Sequence, residues 1–452
     1  MASVSHRDSL RQLFSLAGPV IVAEIGWMAM GIVDTIMVGP LGPTAIGTVG
    51  LGSIVFMAVA IFGMGLFLGL DTLVSQAFGA GRLAECHAWL VHSLALAVLI
   101  GVPATVVLAH ARPGLALLGL HRDVVLLTQP YVGAVVWSLV PLLFYAAFRR
   151  YLQGMSIVRP TVVALVTANV LNVVANWALI YGHLGLPALG VTGAAWATVV
   201  SRVYMALVLG AASVARLADF GVRARHAVRS FEWWRLGRLV GLGFPAASQI
   251  TIEVGVFAAA TTLAGRLDPV SLAAHQIALN VASLVFMVPL GVASAGAVLV
   301  GQAVGRRDAF GAARAGWTAL GCMAAFMAAV AVVFVTLPEW LVAPFTTDPP
   351  VVLLSASLLL IAAIFQLFDG LQVVATGVLR GLGDTRTPMA LNLLGHWGLG
   401  LPVGYALCFR RGWGVRGLWV GLSVGLISVG LILVVVWARR VKAWRATLSL
   451  SG

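Results

Sequence analysis

Along most of this chain the hydrophobic positions do not alternate with polar ones. They run on for about 20 residues or more at a time, the length that crosses roughly 30 Å of hydrocarbon as a helix. Such runs lie near residues 14–37, 46–72, 86–109, 124–147, 161–182, 190–214, 238–264, 271–300, 312–337, 351–378, 388–408 and 414–437. They predict an all-α integral membrane protein with about twelve transmembrane helices. The first run is too long for a signal peptide, and no small-residue cleavage site follows it.

The pattern repeats. "SLAGPV" (15–20) aligns with "GLGFPA" (241–246), "PLGPTAIG" (40–47) with "RLDPVSLA" (266–273), and "LVSQAFGAGR" (73–82) with "LVGQAVGRRD" (299–308), each at an offset of 226 residues. Two six-helix lobes are therefore expected, at 1–215 and 238–440, joined by a cytoplasmic linker at 216–237 and followed by a tail at 441–452. With an even number of crossings in each lobe, both copies begin on the same side of the membrane, and paired repeats of this kind are a signature of secondary transporters. Pro19 and Pro245 occupy matching positions in the first helix of each lobe, where a missing N–H invites a bend and makes them candidate hinges. Trp233 and Trp234, at the end of the linker, suit a lipid interface.

Composition agrees with the pattern: 61% of residues are hydrophobic, 10% are charged, and the mean hydropathy is +1.02. The net charge of +13 would suit nucleic acid if it formed a stripe on a soluble domain, but here the arginines are scattered over short loops. Placing the N-terminus in the cytoplasm puts Arg7, Arg11, Arg82, Arg149, Arg150, Arg159, Arg306, Arg307, Arg314, Arg380, Arg386, the linker arginines and the "ARRVKAWR" tail on one side. Arg112, Arg122, Arg266, Arg410, Arg411 and Arg416 fall on the other, and Arg202 lies inside a helix. That asymmetry predicts both termini cytoplasmic, with the lipid bilayer rather than nucleic acid as partner. Cys86, Cys322 and Cys408 form no metal or redox motif and read as small core residues. The scarcity of lysine beside abundant Arg, Ala and Gly suggests a GC-rich bacterial genome, hence an inner membrane.

Against this background the acidic residues become informative. Glu24, Asp34, Glu253 and Asp369 fall within predicted spans, and Asp71 at the end of one. An ionisable group at membrane depth is costly, so each marks a pathway, a pair or an ion site. Gln249 lies one turn before Glu253, and Gln366, Asp369, Gln372 and Thr376 make one polar stripe on an otherwise apolar helix. Asn169, Asn172 and Asn176 make another, which could ligate a hard cation with Asp34, hold its protonated carboxyl, or glue helices together. Glu24 and Asp71 could pair with arginines or reach an interface, and for Asp71 a helix cap is expected. His275, with its neighbour Gln276, is a candidate for the second lobe's polar group, and His275 and His396 are open to two roles, proton relay or hydrogen-bonded core residue. No phosphate loop, zinc motif or nucleophile elbow is present, so the chain is not expected to be an enzyme or to need a cofactor.

The motifs "GPVIVAEIGWMAMGIVDTIMVG" (18–39), "DTLVSQAFGAG" (71–81), "NVLNVVANWALIYG" (169–182), "GFPAASQITIEVGVF" (243–257), "AAHQIALN" (273–280) and "LRGLGDTRTP" (379–388) together resemble the multidrug and toxin extrusion (MATE) family, most closely its NorM-type branch, over essentially the whole chain. The resemblance implies two lobes around a V-shaped cavity and export of cationic, often aromatic compounds in exchange for H⁺ or Na⁺; a monomer is expected. It carries the family's acids onto Asp34, Glu253 and Asp369, and the accompanying amides onto Asn172 and Asn176. Na⁺ is then expected at Glu253 and Asp369 or at Asp34 and Asn176. Two departures from the branch, the extra acid Glu24 and Phe365 where a polar aromatic residue is common, tilt the coupling ion toward H⁺. A lipid-linked precursor flippase of the same superfamily, or an exporter of a non-drug metabolite, is the alternative.

Overall fold

Hydrocarbon offers no partner for a free N–H or C=O, so a chain of this composition must close its backbone hydrogen bonds within each crossing. The computed structural model describes residues 6–110, 122–219 and 231–450, and among these every regular element is helical. In order they are α1 (His6–Val38), α2 (Pro43–Leu66), α3 (Gly69–Gly79), α4 (Leu83–His110), α5 (Arg122–Val135), α6 (Leu139–Gly154), α7 (Arg159–Tyr181) and α8 (Val191–Asp219). There follow α9 (Trp233–Ala264), α10 (Pro269–Gly305), α11 (Ala309–Thr336), α12 (Pro349–Leu382), an interrupted helix α13 at residues 386–410, and α14 (Gly414–Leu450). Residues 220–230 of the expected linker and Arg112 lie outside the described residues.

Among the described residues eleven helical stretches are long and apolar enough to cross a membrane, with α2 and α3 sharing one crossing and α5 and α6 most of another. The twelfth predicted run is α13, which is helical throughout but winds as a π-helix at Leu393–Gly400 and again at Ala406–Arg410. Its sequence explains the loosening: Pro402 donates no hydrogen bond, and Gly395, Gly398, Gly400 and Gly404 bring no side chain to hold the tighter pitch. Glycine also lets α13 approach α14 closely. A Cβ on Gly421 would stand 2.2 Å from the backbone of Gly404, so no larger residue fits there without moving a helix.

Helix ends follow the local chemistry. Pro43, Pro269 and Pro349 open α2, α10 and α12, where their missing N–H costs nothing. Asp268 caps α10 by accepting from Ser271 N at 2.8 Å, and Asp308 caps α11 by accepting from Gly311 N at 2.7 Å. At the start of α9, Trp233 and Trp234 are exposed. There Glu232 N donates to His92 Nε2 at 2.8 Å, and Arg235 lies over the rings of Trp89 and Trp234.

The helices pack into two compact units: Val22–Ala247, and Met1–Ile21 with Ser248–Gly452. Each boundary falls inside a helix, α1 or α9, two residues after Pro19 or Pro245, and the two boundaries are themselves 226 residues apart. The core of the first unit includes the fully buried Phe56, Phe67, Leu139, Leu142, Leu143, Tyr145 and Tyr151. That of the second includes Phe334, Leu358, Leu359, Ala362, Trp419 and Leu426. Large apolar side chains such as Val107, Ile364 and Leu394 stay exposed, the surface a protein presents to lipid and not to water.

Candidate functional site

Glu253 answers a simple accounting demand: a carboxyl in the middle of an apolar helix needs donors close by. α9 supplies one from the preceding turn, Gln249 Nε2, which donates to Glu253 Oε2 at 3.3 Å. α12 supplies the other, Gln372 Nε2, which stands 3.3 Å from Glu253 Oε1 and 3.1 Å from Asn392 Oδ1 on α13. Asn392 is fixed in turn by donating to Pro388 O at 2.8 Å and by His396 Nε2 at 3.1 Å from its Oδ1. The predicted stripe on α12 is buried at all four positions, Gln366, Asp369, Gln372 and Thr376.

Asp369 lies close enough to Glu253 for the two charges to interact, and among the described residues neither forms an ion pair with an arginine or lysine. Around them Gln366 Oε1, Gln372 Oε1 and Thr376 Oγ1 are buried without a hydrogen-bond partner among those residues. Buried polar oxygens are ordinarily satisfied. Two carboxyls on α9 and α12, with three uncommitted oxygens along α12, have the donor-poor chemistry that suits a cation, whether a hydrogen-bonded proton, a hard metal ion or an organic ammonium.

His275 stands apart from this network. Trp419 Nε1 donates to its Nδ1 at 3.0 Å, which leaves the ring proton on Nε2, 2.8 Å from Thr261 Oγ1. Both nitrogens thus tie α9, α10 and α14 together. Gln276 beside it is exposed, and Phe365 is buried against Trp419 with ring centroids 6.0 Å apart.

The other unit holds a second acid centre. Asp34 on α1 accepts from Asn176 Nδ2 at 2.7 Å and from Thr198 Oγ1 at 2.9 Å, and Asn176 Nδ2 also lies 3.1 Å from Asn172 Oδ1. Asp34, Asn172, Asn176 and Thr198 are all buried. Asn169 does not join them; it donates to Gly26 O at 3.0 Å and to Leu165 O at 2.9 Å, tying α7 to α1. Glu24 does not join them either, because Arg149 on α6 pairs with it. Asp71, in the first turn of α3, is fully buried and pairs with Arg150 at 3.3 Å. The acid candidates therefore divide into a carboxyl pair with amides, a carboxyl with amides and a hydroxyl, and two ion pairs.

Thr198 and Asn392 escaped the sequence reading. Thr198 sits on α8 among apolar residues, with only Ser201 and Arg202 at helical spacing after it, and Asn392 is the lone amide of its run; proximity in space is what reveals either.

The model of the MatE family matches residues 19–178 and 245–406, one match to each repeat. The chain is 36% identical over 443 residues to a probable multidrug resistance protein NorM of Mesorhizobium japonicum, covering 96% of this chain and 94% of that one. It is 34% identical over 447 residues to the multidrug resistance protein PmpM of Pseudomonas aeruginosa, covering 96% and 92%. In fold it is similar to a crystallised MATE protein in a bent conformation, with a TM-score of 0.88, 21% identity and 97% of each chain covered.

Proposed function

Because the chain belongs to the MatE family, a family of membrane transporters, we propose that it is a secondary multidrug efflux antiporter, exporting cationic and aromatic organic compounds in exchange for H⁺ or Na⁺. The observation that carries this reading is Glu253 and Asp369, two buried carboxyls on α9 and α12 near enough to interact, the first with amide donors and neither with an ion-paired base among the described residues. Such a pair has an electrostatic demand for positive charge that an inorganic cation, a proton or a cationic compound can each meet. Since all three answer the same demand, they exclude one another, and mutual exclusion is the requirement of antiport: loading the ion from outside releases the compound, and loading the compound from inside releases the ion. Gln249, Gln372 and the unbonded oxygens of Gln366 and Thr376 supply a polar lining that adapts to either occupant.

Names of relatives support the substrate class, and the arginine distribution supports an inner-membrane orientation with both termini cytoplasmic. The protein acts as a monomer in this reading. Ethidium efflux from proteoliposomes, with a proton or a sodium gradient imposed separately, tests it. Glu253→Gln and Asp369→Asn should each slow gradient-driven export by about tenfold or more, the cost expected of removing an intramembrane charge that holds cargo. Export at the wild-type rate in both variants would remove the basis of the proposal.

A further inference from the structure

Arg202 on α8 is 5% exposed and inside a membrane span, yet it has no carboxylate within ion-pair distance among the described residues. An arginine at that depth is costly and needs a reason. Its surroundings are built for it. Arg202 Nη1 donates to Ser138 Oγ at 2.6 Å, and the Ser138 hydroxyl is turned to accept because its own proton goes to Val135 O at 2.5 Å. The guanidinium carbon lies 4.5 Å from the ring centroid of Phe56 and 5.7 Å from the ring of Trp27, and Trp27 is itself stacked on Tyr145. Aromatic faces hold a weakly hydrated guanidinium with their negative quadrupole while leaving its charge unneutralised. Nε remains buried without a partner.

The charge is directed at the Asp34 pocket. Thr198, which donates to Asp34, stands one turn before Arg202 on α8, and Trp27 stands two turns before Asp34 on α1. At this spacing the guanidinium lies beyond hydrogen-bond reach of the carboxylate, yet in a poorly polarisable interior its charge still acts across one or two helical turns. Asn176 and Thr198 both present donors to Asp34.

We propose that Arg202 is the resident cation of the Asp34 pocket: it leaves that pocket electrically neutral and closed to Na⁺ and to cationic cargo, which bind at Glu253 and Asp369 alone. The proposal rests on the antiport reading only in naming that second site. The test is equilibrium binding of radioactive sodium and of ethidium to the purified full chain in detergent. The Glu253→Gln/Asp369→Asn protein should bind neither saturably. Adding Arg202→Gln should open sodium binding, tighter by at least about tenfold, and adding Asp34→Asn should abolish it again; Arg202→Lys should keep the pocket closed. Saturable binding to the Glu253→Gln/Asp369→Asn protein that disappears with Asp34→Asn would overturn the proposal, and this comparison stands even if Arg202→Gln fails to fold. So would a folded Arg202→Gln triple variant that binds no sodium. Failure of the antiport reading would register separately, as wild-type proteoliposomes that export no ethidium under either gradient.

Discussion

Glu24 and Asp34 share one helix and opposite fates. Glu24 meets the guanidinium of Arg149, with both side chains largely buried, whereas Asp34 meets an amide and a hydroxyl. Removing one partner of a buried ion pair strands the other charge. Glu24→Ala should therefore cost about 3–5 kcal/mol, read as a lowered unfolding temperature in detergent, and Glu24→Met with Arg149→Met should recover most of it. Recovery would assign the pair to the scaffold, and a lasting loss of export in the stable double variant would assign it to transport. At this scale the sequence was legible where partners lie on one helix, as with Gln249 and Glu253 or Asn172 and Asn176. It was illegible where they lie far apart, as with Thr198 and Asp34, 164 residues distant, because no periodicity links two helices.

Among the helices, the apolar runs foretold where crossings occur but not how α13 winds. A wholly apolar stretch carries no polar phase from which a π turn could be told from an α turn, and only its glycines and Pro402 hint at it. The Gly404 and Gly421 contact makes a sharp forecast: Gly421→Ala should destabilise by about 1–3 kcal/mol through overpacking, whereas Gly50→Ala, with open space around it, should not. The cap of α10 forecasts a pH effect. Hydrogen bonds from Ser271 hold the Asp268 carboxyl below its ordinary value of 3.8, so the cap's contribution is complete above that value and is lost as pH falls through the lower folded-state value. An Asp268→Asn variant should flatten the acid limb of a thermal-stability profile measured from pH 6 downward, and an unchanged limb would acquit the cap.

For the molecule as a whole, duplication at a 226-residue offset was plain in the sequence, and the family model repeats it in its two matches. What duplication did not produce is a duplicated site. The unit at Ser248–Gly452 has a pair of buried carboxyls without an ion-paired base among the described residues, while the acid centre of the unit at Val22–Ala247 has one carboxyl held by an amide and a hydroxyl. Two copies of one scaffold thus place their acids differently: at the 226-residue offset Glu253 aligns with Trp27 and Asp34 with Ala260, a divergence that an alignment of the halves alone does not interpret. The placement of the boundaries inside α1 and α9 also sets a timetable for synthesis. The opening arm of α1 leaves the ribosome first, yet the unit it belongs to starts only at Ser248, and the unit from Val22 closes only when Ala247 has been made. Neither unit can be finished from its own repeat, so a nascent chain halted between the repeats should hold an early helix waiting for a partner not yet translated.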